Sequence, residues 1–122
     1  MKKLSASLQD YLETILQLSA VNGGGSRITD IAKHLNIAKP SVNQAIATLK
    51  SIGLAEQDLY GPVRLTDEGR KEAELVIERH FTIKTFLTQK LGVCSDTAET
   101  DACAIEHVIS QETLEKLLDF IR

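Results

Sequence analysis

Residues 28–50 read ITDIAKHLNIAKPSVNQAIATLK, and this stretch predicts a helix-turn-helix. Its first part has apolar residues at helical spacing, with Thr29 as the expected N-cap and the small Ala32 where a second helix must approach closely. Asn36-Ile37-Ala38-Lys39 forms the predicted turn. Pro40 then opens the second helix at a first-turn position, where a backbone amide has no intrahelical partner to lose.

The second of these helices has two chemically different faces. Its apolar side consists of Val42, Ala45, Ile46 and Leu49. The opposite side has short hydrogen-bonding side chains that can read base edges in a DNA major groove, flanked by basic residues suited to phosphates. An ordinary polar helix face is the alternative interpretation of that surface. The predicted DNA-binding residues are Arg27, Lys39, Pro40, Ser41, Asn43, Gln44, Thr48 and Lys50.

The segments around this motif predict a winged helix-turn-helix. An amphipathic helix is expected over residues 5 to about 19, with Ser5 or Ser7 as its cap and three glycines after it. Beyond Gly53, residues 54–57 and 63–65 are short extended runs. Joined by a turn, they form a two-stranded wing.

Three further helices are expected after the wing. Thr66-Asp67-Glu68-Gly69 opens a long one that reaches about Leu91-Gly92, with acidic residues in its first turn. Ser95 or Asp96 can cap the next, over about 96–109, and Ser110 the last, over about 111–121. The apolar stripe of the last helix is strong, so we expect it to be buried against a second copy of the chain in a C2 dimer.

The helix predicted over 96–109 bears three metal-ligand side chains, Cys103, Glu106 and His107, at i, i+3 and i+4. At about 100° per residue they face one point, where they can coordinate a divalent first-row metal ion. Three ligands leave the coordination shell open. Further ligand-type residues on apolar helix faces are Asp10 and Glu13 on the first helix and His80 on the long one.

Each candidate ligand also has a simpler interpretation. Cys103 can be a small buried hydrophobe. Asp10 and Glu13 can form a solvated helix face, because charged residues mostly lie outside. His80 can be a core histidine with a hydrogen-bond partner.

Composition bounds the class of protein. The chain has 122 residues, of which 43% are hydrophobic, and this is enough for a core. Its two cysteines are too few for a disulfide framework. No apolar run is long enough to cross a bilayer and no secretion signal follows Met1, so a cytoplasmic location is expected. The net charge of −3 is uneven: residues 1–70 have eight basic against seven acidic side chains, and residues 71–122 have six against ten.

The chain resembles the diphtheria toxin repressor and manganese transport regulator family of metal-dependent repressors over nearly its whole length. The matching segments are Ser7-Leu8-Gln9-Asp10-Tyr11-Leu12-Glu13-Thr14-Ile15, Leu65-Thr66-Asp67-Glu68-Gly69, Arg79-His80 and Cys103-Ala104-Ile105-Glu106-His107-Val108-Ile109-Ser110. The resemblance implies a homodimer that binds palindromic operator DNA when metal is present and controls metal homeostasis genes. The implied ligands are Asp10, Glu13, His80, Cys103, Glu106 and His107.

The ligand pattern combines two branches of that family. Asp10 and Glu13 resemble the manganese-sensing branch, whereas Cys103 resembles the iron-sensing one. Lys84 and Glu99 stand where the iron-sensing branch has ligands of an ancillary site, so such a site is not expected. A thiolate favours Fe(II), with Mn(II) next and Zn(II), Co(II) or Ni(II) possible. One ion is hypothesised to join the first helix to the later ones and so restrict the spacing of the DNA-binding heads.

The overall expectation is a mainly α protein with a winged helix-turn-helix DNA-binding domain over residues 1–70. A helical metal-binding and dimerisation domain follows over residues 71–122. The expected partners are double-stranded operator DNA and a second copy, with no membrane, no organic substrate and no enzymatic activity. Two alternatives stay open: a winged-helix regulator that responds to a small organic effector or to oxidation of Cys103, and a small metalloenzyme.

Overall fold

Residues 4–122, which the computed structural model describes, form six α-helices, a π-helical turn and one two-stranded sheet, confirming the mainly α fold. In chain order these are α1 Ala6–Asn22, α2 Ile28–Leu35, α3 Lys39–Ser51, β1 Ala55–Gln57, β2 Val63–Leu65, α4 Asp67–Thr85, the π-helical turn Phe86–Lys90, α5 Ser95–Ile105 and α6 Gln111–Ile121. The chain divides into two compact units between Glu74 and Leu75. Across residues 4–122, no helix combines the length and the apolar character that crossing a membrane requires.

Helix α1 begins as its sequence predicts, but it continues to Asn22, three residues beyond the predicted end near residue 19. The Ser5 side chain accepts a hydrogen bond from the Leu8 amide, and Gly23 ends the helix with φ 80°, a left-handed conformation in which glycine has no Cβ to clash. Its inner face supplies Leu12 and Ile15, both fully buried, to the core of the first unit. The helix therefore serves as the support on which the helix-turn-helix packs.

The helix-turn-helix forms, although one predicted cap is wrong. Asn36 adopts the left-handed conformation (φ 56°) and turns the chain from α2 into α3. Thr29, the expected N-cap, lies in the first turn of α2, and Arg27 occupies the cap position without a side-chain hydrogen bond. Helix α2 begins directly after a distant backbone pairing: Ser26 exchanges two hydrogen bonds of 2.8 Å with Val63, and Arg27 is the last extended residue.

The core of the first unit is shared by all three helices and the sheet. Ile31, Val42, Ile46, Leu49 and Val63 are each no more than 2% exposed. Burying such a side chain contributes roughly 1.5–3 kcal/mol, so the position of α3 is specified by its apolar side. Its opposite side is left to solvent.

The predicted wing is an antiparallel pair in which Ala55 lies opposite Leu65 and Gln57 opposite Val63. The Ser26 bridge extends this pair toward α1, where the Ser26 hydroxyl donates to the Ile15 carbonyl at 3.1 Å. Ser26 is fully buried, which the sequence does not indicate. A short polar residue after three glycines thus ties the wing to α1.

In the second unit, α4 continues into the π-helical turn, and Gly92 follows in the left-handed conformation (φ 73°). The small core contains Ile83, Ala102 and Leu114, with Leu87, Ile105, Ile109 and Leu117 packed around it. Helix α6 begins as predicted, because the Ser110 side chain accepts a hydrogen bond from the Thr113 amide. Two leucines of the apolar stripe of α6, Leu114 and Leu117, belong to this core and so already pack within the chain.

Helix α5 is shifted and shorter than predicted. It begins at Ser95 with Cys94 in the cap position, so the expected caps Ser95 and Asp96 both lie inside its first turn. It ends at Ile105 and not near residue 109; residues 106–108 form a turn, and the Val108 and Ile109 amides both bond to the Ile105 carbonyl. Ser110 is then extended to cap α6, which requires the chain to leave α5 early.

Gly69 should be intolerant of any side chain. A Cβ at this position would overlap the carbonyl oxygen of Leu54, a backbone atom that cannot rotate away. We expect Gly69→Ala to lower the free energy of unfolding by about 1–3 kcal/mol, the usual cost of overpacking, in a urea titration. The exposed Lys71→Ala on the same helix should change it by less than about 0.5 kcal/mol. Equal stabilities of the two variants would contradict the close approach.

Candidate metal centre

The centre of the second unit is the imidazole of His80, whose side chain is only 15% exposed. On one edge of the ring, Nε2 lies 2.9 Å from Oε1 of Glu99. On the other edge, Nδ1 lies 3.0 Å from Oε2 of Glu106 and 3.7 Å from Sγ of Cys103. A histidine predicted from an otherwise apolar stripe of α4 therefore meets the ligand-bearing end of α5.

Glu106 is the most buried charged group of this cluster, with a side chain that is 1% exposed. It occupies the C-cap position of α5 with helical backbone angles, so the early end of α5 leaves its placement unchanged. Its second oxygen, Oε1, lies 3.4 Å from Nε2 of His107. A buried carboxylate is costly unless it is paired, and here each oxygen faces an imidazole nitrogen.

Donor atoms of His80, Cys103 and Glu106 all lie within 4.8 Å of one another. The set consists of one imidazole nitrogen, one sulfur and one carboxylate oxygen, which suits divalent first-row transition metals. Cys103 is exposed, so its thiol is open to solvent on one side, while Glu106 anchors the other. The residues present therefore fit a metal ion.

Lys84 and Glu99 extend the cluster beyond the predicted ligands. The Lys84 ammonium nitrogen lies 2.8 Å from Oε2 of Glu99, whose other oxygen faces His80. The hydrogen bond from Lys84, followed by that from His80, holds the pKa of the Glu99 carboxyl below its ordinary value. Sequence reasoning noted both residues only as departures from a family pattern. The available signal was spacing, because Glu99 precedes Cys103 by four residues and Lys84 follows His80 by four.

Asp10 and Glu13 lie three residues apart on α1, in the first unit. The Gln17 side-chain amide donates to Oε1 of Glu13 at 3.4 Å. Their assignment as metal ligands stays a prediction. The same holds for His107, which is placed beside Glu106.

The predicted DNA-reading surface lies on the outer face of α3. Ser41, Asn43, Gln44 and Thr48 are exposed there, and the Thr48 hydroxyl donates to the Gln44 carbonyl at 3.2 Å. The remaining predicted residues, Arg27, Lys39, Pro40 and Lys50, are exposed as well. The helix thus presents polar side chains outward, with Lys39 at its start and Lys50 in its last turn. Exposure does not test contact with DNA, so the assignment of these residues to DNA binding stays a prediction.

The wing has charges that the sequence reasoning did not use. Arg64 on β2 lies 3.2 Å from Asp58 at the loop and 3.7 Å from Glu56 on β1. Leu59 and Tyr60 at the tip are almost fully exposed. Exposed ion pairs of this kind stabilise a fold little, so they mainly keep the loop in one conformation.

Comparison with protein families gives two matches that together span almost the whole chain. Residues 3–63 match the model described as the iron dependent repressor, N-terminal DNA binding domain. Residues 66–122 match the model described as the iron dependent repressor, metal binding and dimerisation domain. The two residues between the matches, 64 and 65, belong to β2 of the wing.

Comparison with individual proteins agrees. An HTH-type transcriptional regulator of Methanocaldococcus jannaschii is 36% identical over 97% of this chain and 94% of its own length. The transcriptional regulator MntR of Salmonella typhimurium is 37% identical over 93% of this chain and 71% of its own. The solved structure of a manganese-dependent transcriptional repressor in complex with manganese superposes with a TM-score of 0.84 at 26% identity. This chain is covered over 93% there, yet spans about half (52%) of that structure's length.

The two cysteines offer a matched test of the donor set. Titration with Co(II) should give a thiolate-to-metal charge-transfer absorption in the wild type and in Cys94→Ser, because only Cys103 lies within the cluster. Cys103→Ser should lose that absorption, since a hydroxyl is a much harder donor than a thiolate. Both cysteines are exposed, so neither substitution should shift the melting temperature of the metal-free protein. Loss of the absorption in the Cys94 variant alone would refute the assignment.

Proposed function

Because this chain belongs to the iron-dependent repressor family of transcriptional regulators, we propose that it binds operator DNA as a homodimer when its second domain holds a divalent transition metal. It is a metal-dependent regulator of transcription and not an enzyme. The match to a metal-binding domain also removes the reason for an organic effector. The observation that carries the proposal is the meeting of His80, Cys103 and Glu106 in one cluster.

The proposed ligands are His80, Cys103, Glu106 and His107, with Asp10 and Glu13 retained on the resemblance alone. A bound cation would supply the positive charge that the anionic groups of the cluster lack. The Glu106 carboxylate also contacts the imidazoles of His80 and His107, and a proton competes with a metal ion for an imidazole nitrogen. Metal and proton occupancy of His80 Nδ1 therefore exclude each other.

The metal proposed is Fe(II), with Mn(II) as the next choice. The Cys103 thiolate favours the softer ions Fe(II), Co(II), Ni(II) and Zn(II), whereas the carboxylate and imidazole donors also suit Mn(II). One of the similar solved structures is a manganese-dependent repressor in complex with manganese, which is why we propose Mn(II) as the next choice here. Availability inside the cell then decides which ion is bound.

The proposed dimer is supported by apolar surface on the second unit. Phe81, Leu91, Val108 and Phe120 are all more than 60% exposed. Exposed apolar groups on one unit of a small protein are typical of a surface that packs against another copy. We therefore propose that the partner copy covers these four residues. Leu114 and Leu117 of α6 already pack within the chain, so they are not the exposed part of the proposed interface.

Operator recognition is proposed to use α3. A dimer presents two recognition helices, which must lie about 34–36 Å apart, one turn of DNA, or a multiple of that spacing. Conformations that miss this spacing bind weakly, so restricting them raises operator affinity. Coupling of this kind is typically worth about 1–3 kcal/mol. We propose that the chain acts in the cytoplasm on genes of metal homeostasis.

The metal requirement can be tested by a gel shift on the gene's own upstream region, titrated anaerobically with Fe(II), Mn(II), Zn(II) and chelator. Metal should raise the wild-type affinity by roughly 5- to 150-fold. Glu106→Gln keeps the side chain's shape but removes its charge, so the stimulation should disappear. Glu112→Gln, an exposed acid on α6, is the matched control and should respond fully. A full metal response of the Glu106 variant would mean that the site is misplaced.

The DNA-reading residues predict two distinguishable losses. Gln44→Ala should weaken operator binding by roughly 1–3 kcal/mol while leaving binding to unrelated DNA unchanged, because a base contact carries sequence information. Lys50→Ala should weaken both and reduce the salt slope of log K by about 0.9, because a phosphate contact releases one counterion. Lys116→Ala, exposed on α6, is the control. Identical effects of the Gln44 and Lys50 variants on both DNAs would contradict the assignment.

A further inference from the structure

Three side chains of the second unit form a line of contacts that ends at the proposed metal site. Lys84 contacts Oε2 of Glu99 at 2.8 Å, and Oε1 of Glu99 contacts Nε2 of His80 at 2.9 Å. Lys84 follows His80 by one helical turn on α4, whereas Glu99 lies one turn before Cys103 on α5. Neither Lys84 nor Glu99 belongs to the proposed ligand set, so their arrangement requires its own account.

The ring of His80 has a different task at each nitrogen. A neutral imidazole carries one proton, and the nitrogen that binds a metal must be the one without it. Nδ1 faces the two other donors of the cluster, Cys103 and Glu106. The proton therefore belongs on Nε2, where the Glu99 carboxylate can accept it. Histidine ligands commonly donate their second N–H to a carboxylate in this way, which fixes the tautomer and ring orientation.

Lys84 explains why Glu99 has this supporting task and is not itself a ligand. Glu99 is half exposed, and a flexible acid four residues before Cys103 could otherwise turn toward the same ion. Its two oxygens are instead engaged by Lys84 and by the Nε2 side of His80. The Lys84 ammonium also places a fixed positive charge beside the cluster, on the side of His80 away from Cys103.

We propose that Glu99, anchored by Lys84, is a positioning residue that accepts the Nε2–H of His80 and thereby presents Nδ1 as the ligating atom beside Cys103 and Glu106. This inference rests on the proposed metal site. It assigns Lys84 and Glu99 a role in metal affinity without direct contact to the ion. Lys84 acts one step further away, so its removal should matter less than removal of Glu99.

The first test is the affinity of the full-length protein for Co(II) and Mn(II), measured by competition with a chromophoric chelator. Glu99→Ala should lower the affinity by roughly 10- to 100-fold, the usual effect of losing such a supporting carboxylate. Lys84→Gln should lower the metal affinity by a smaller factor. Lys84→Arg should keep the affinity close to that of the wild type, because a guanidinium can also hold Glu99. Lys116→Gln removes the same charge from an exposed site on α6 and should have no effect.

The second test is spectroscopic. Its readout, the protonation of the two His80 ring nitrogens, would not change if Glu99 had only a structural role. In the Zn(II)-loaded wild type, ¹⁵N NMR of the imidazoles should show His80 protonated at Nε2 and bound through Nδ1. In Glu99→Ala the Nε2 proton should exchange faster with solvent, while the Co(II) charge-transfer absorption stays in place because Cys103 still ligates. The melting temperatures of the metal-free variants should equal that of the wild type, which separates positioning from folding.

Three results would overturn the inference. Glu99→Ala with unchanged metal affinity would show that His80 needs no support, and a proton found on Nδ1 in the loaded protein would reverse the assigned tautomer. A loss as complete as that of His80→Ala, with an altered Co(II) spectrum, would make Glu99 a ligand. All three leave the proposed function standing, because the wild type binds metal in each. A wild-type protein that binds no metal would instead remove the proposed function and this inference together.

Discussion

The second unit depends on the burial of one carboxylate. Glu106 is 1% exposed, and each of its oxygens faces an imidazole, that of His80 on α4 or that of His107 beyond α5. An ionised carboxylate leaves water at a cost of several kcal/mol unless partners replace the lost hydration. The apolar core beside it is small, with Ile83, Ala102 and Leu114 as its buried members. The same contacts that gather the metal donors therefore also specify how α5 meets α4.

Much of the fold could be predicted from the sequence, because local rules decide where most helices begin and end. Ser5, Thr66 and Ser110 all cap helices as expected, and two short extended runs joined by a turn identified the wing. The caps predicted for α2 and α5 were wrong, and both helices have an end that adjoins another structural feature. A distant strand pairing lies directly before α2, and the cap of α6 follows soon after α5. Ser26 pairs with a residue 37 positions away, which no local preference can reveal.

The candidate site shows the same division between local and distant information. Spacing alone predicted that Cys103, Glu106 and His107 face one point. In the structure one oxygen of Glu106 lies in the cluster with Cys103, and the other lies beside His107. His80 was identified as an imidazole in an apolar stripe, but only the structure supplies its distances to Glu106 and Cys103. Spacing places Lys84 one turn from His80 and Glu99 one turn from Cys103, but the contact between them joins two helices, so only the structure shows it.

Thr66 connects the segment that follows α3 to the first turn of α4 through a single hydroxyl. It donates to the Gly53 carbonyl at 2.7 Å and accepts from the Gly69 amide at 3.1 Å, while the Gly53 amide bonds to the Lys50 carbonyl of α3. The carboxyl end of α3 and the first turn of α4 are consequently coupled. A torque applied to the start of α4 is transmitted to the end of α3 through these three hydrogen bonds, so serine could replace Thr66 but valine could not.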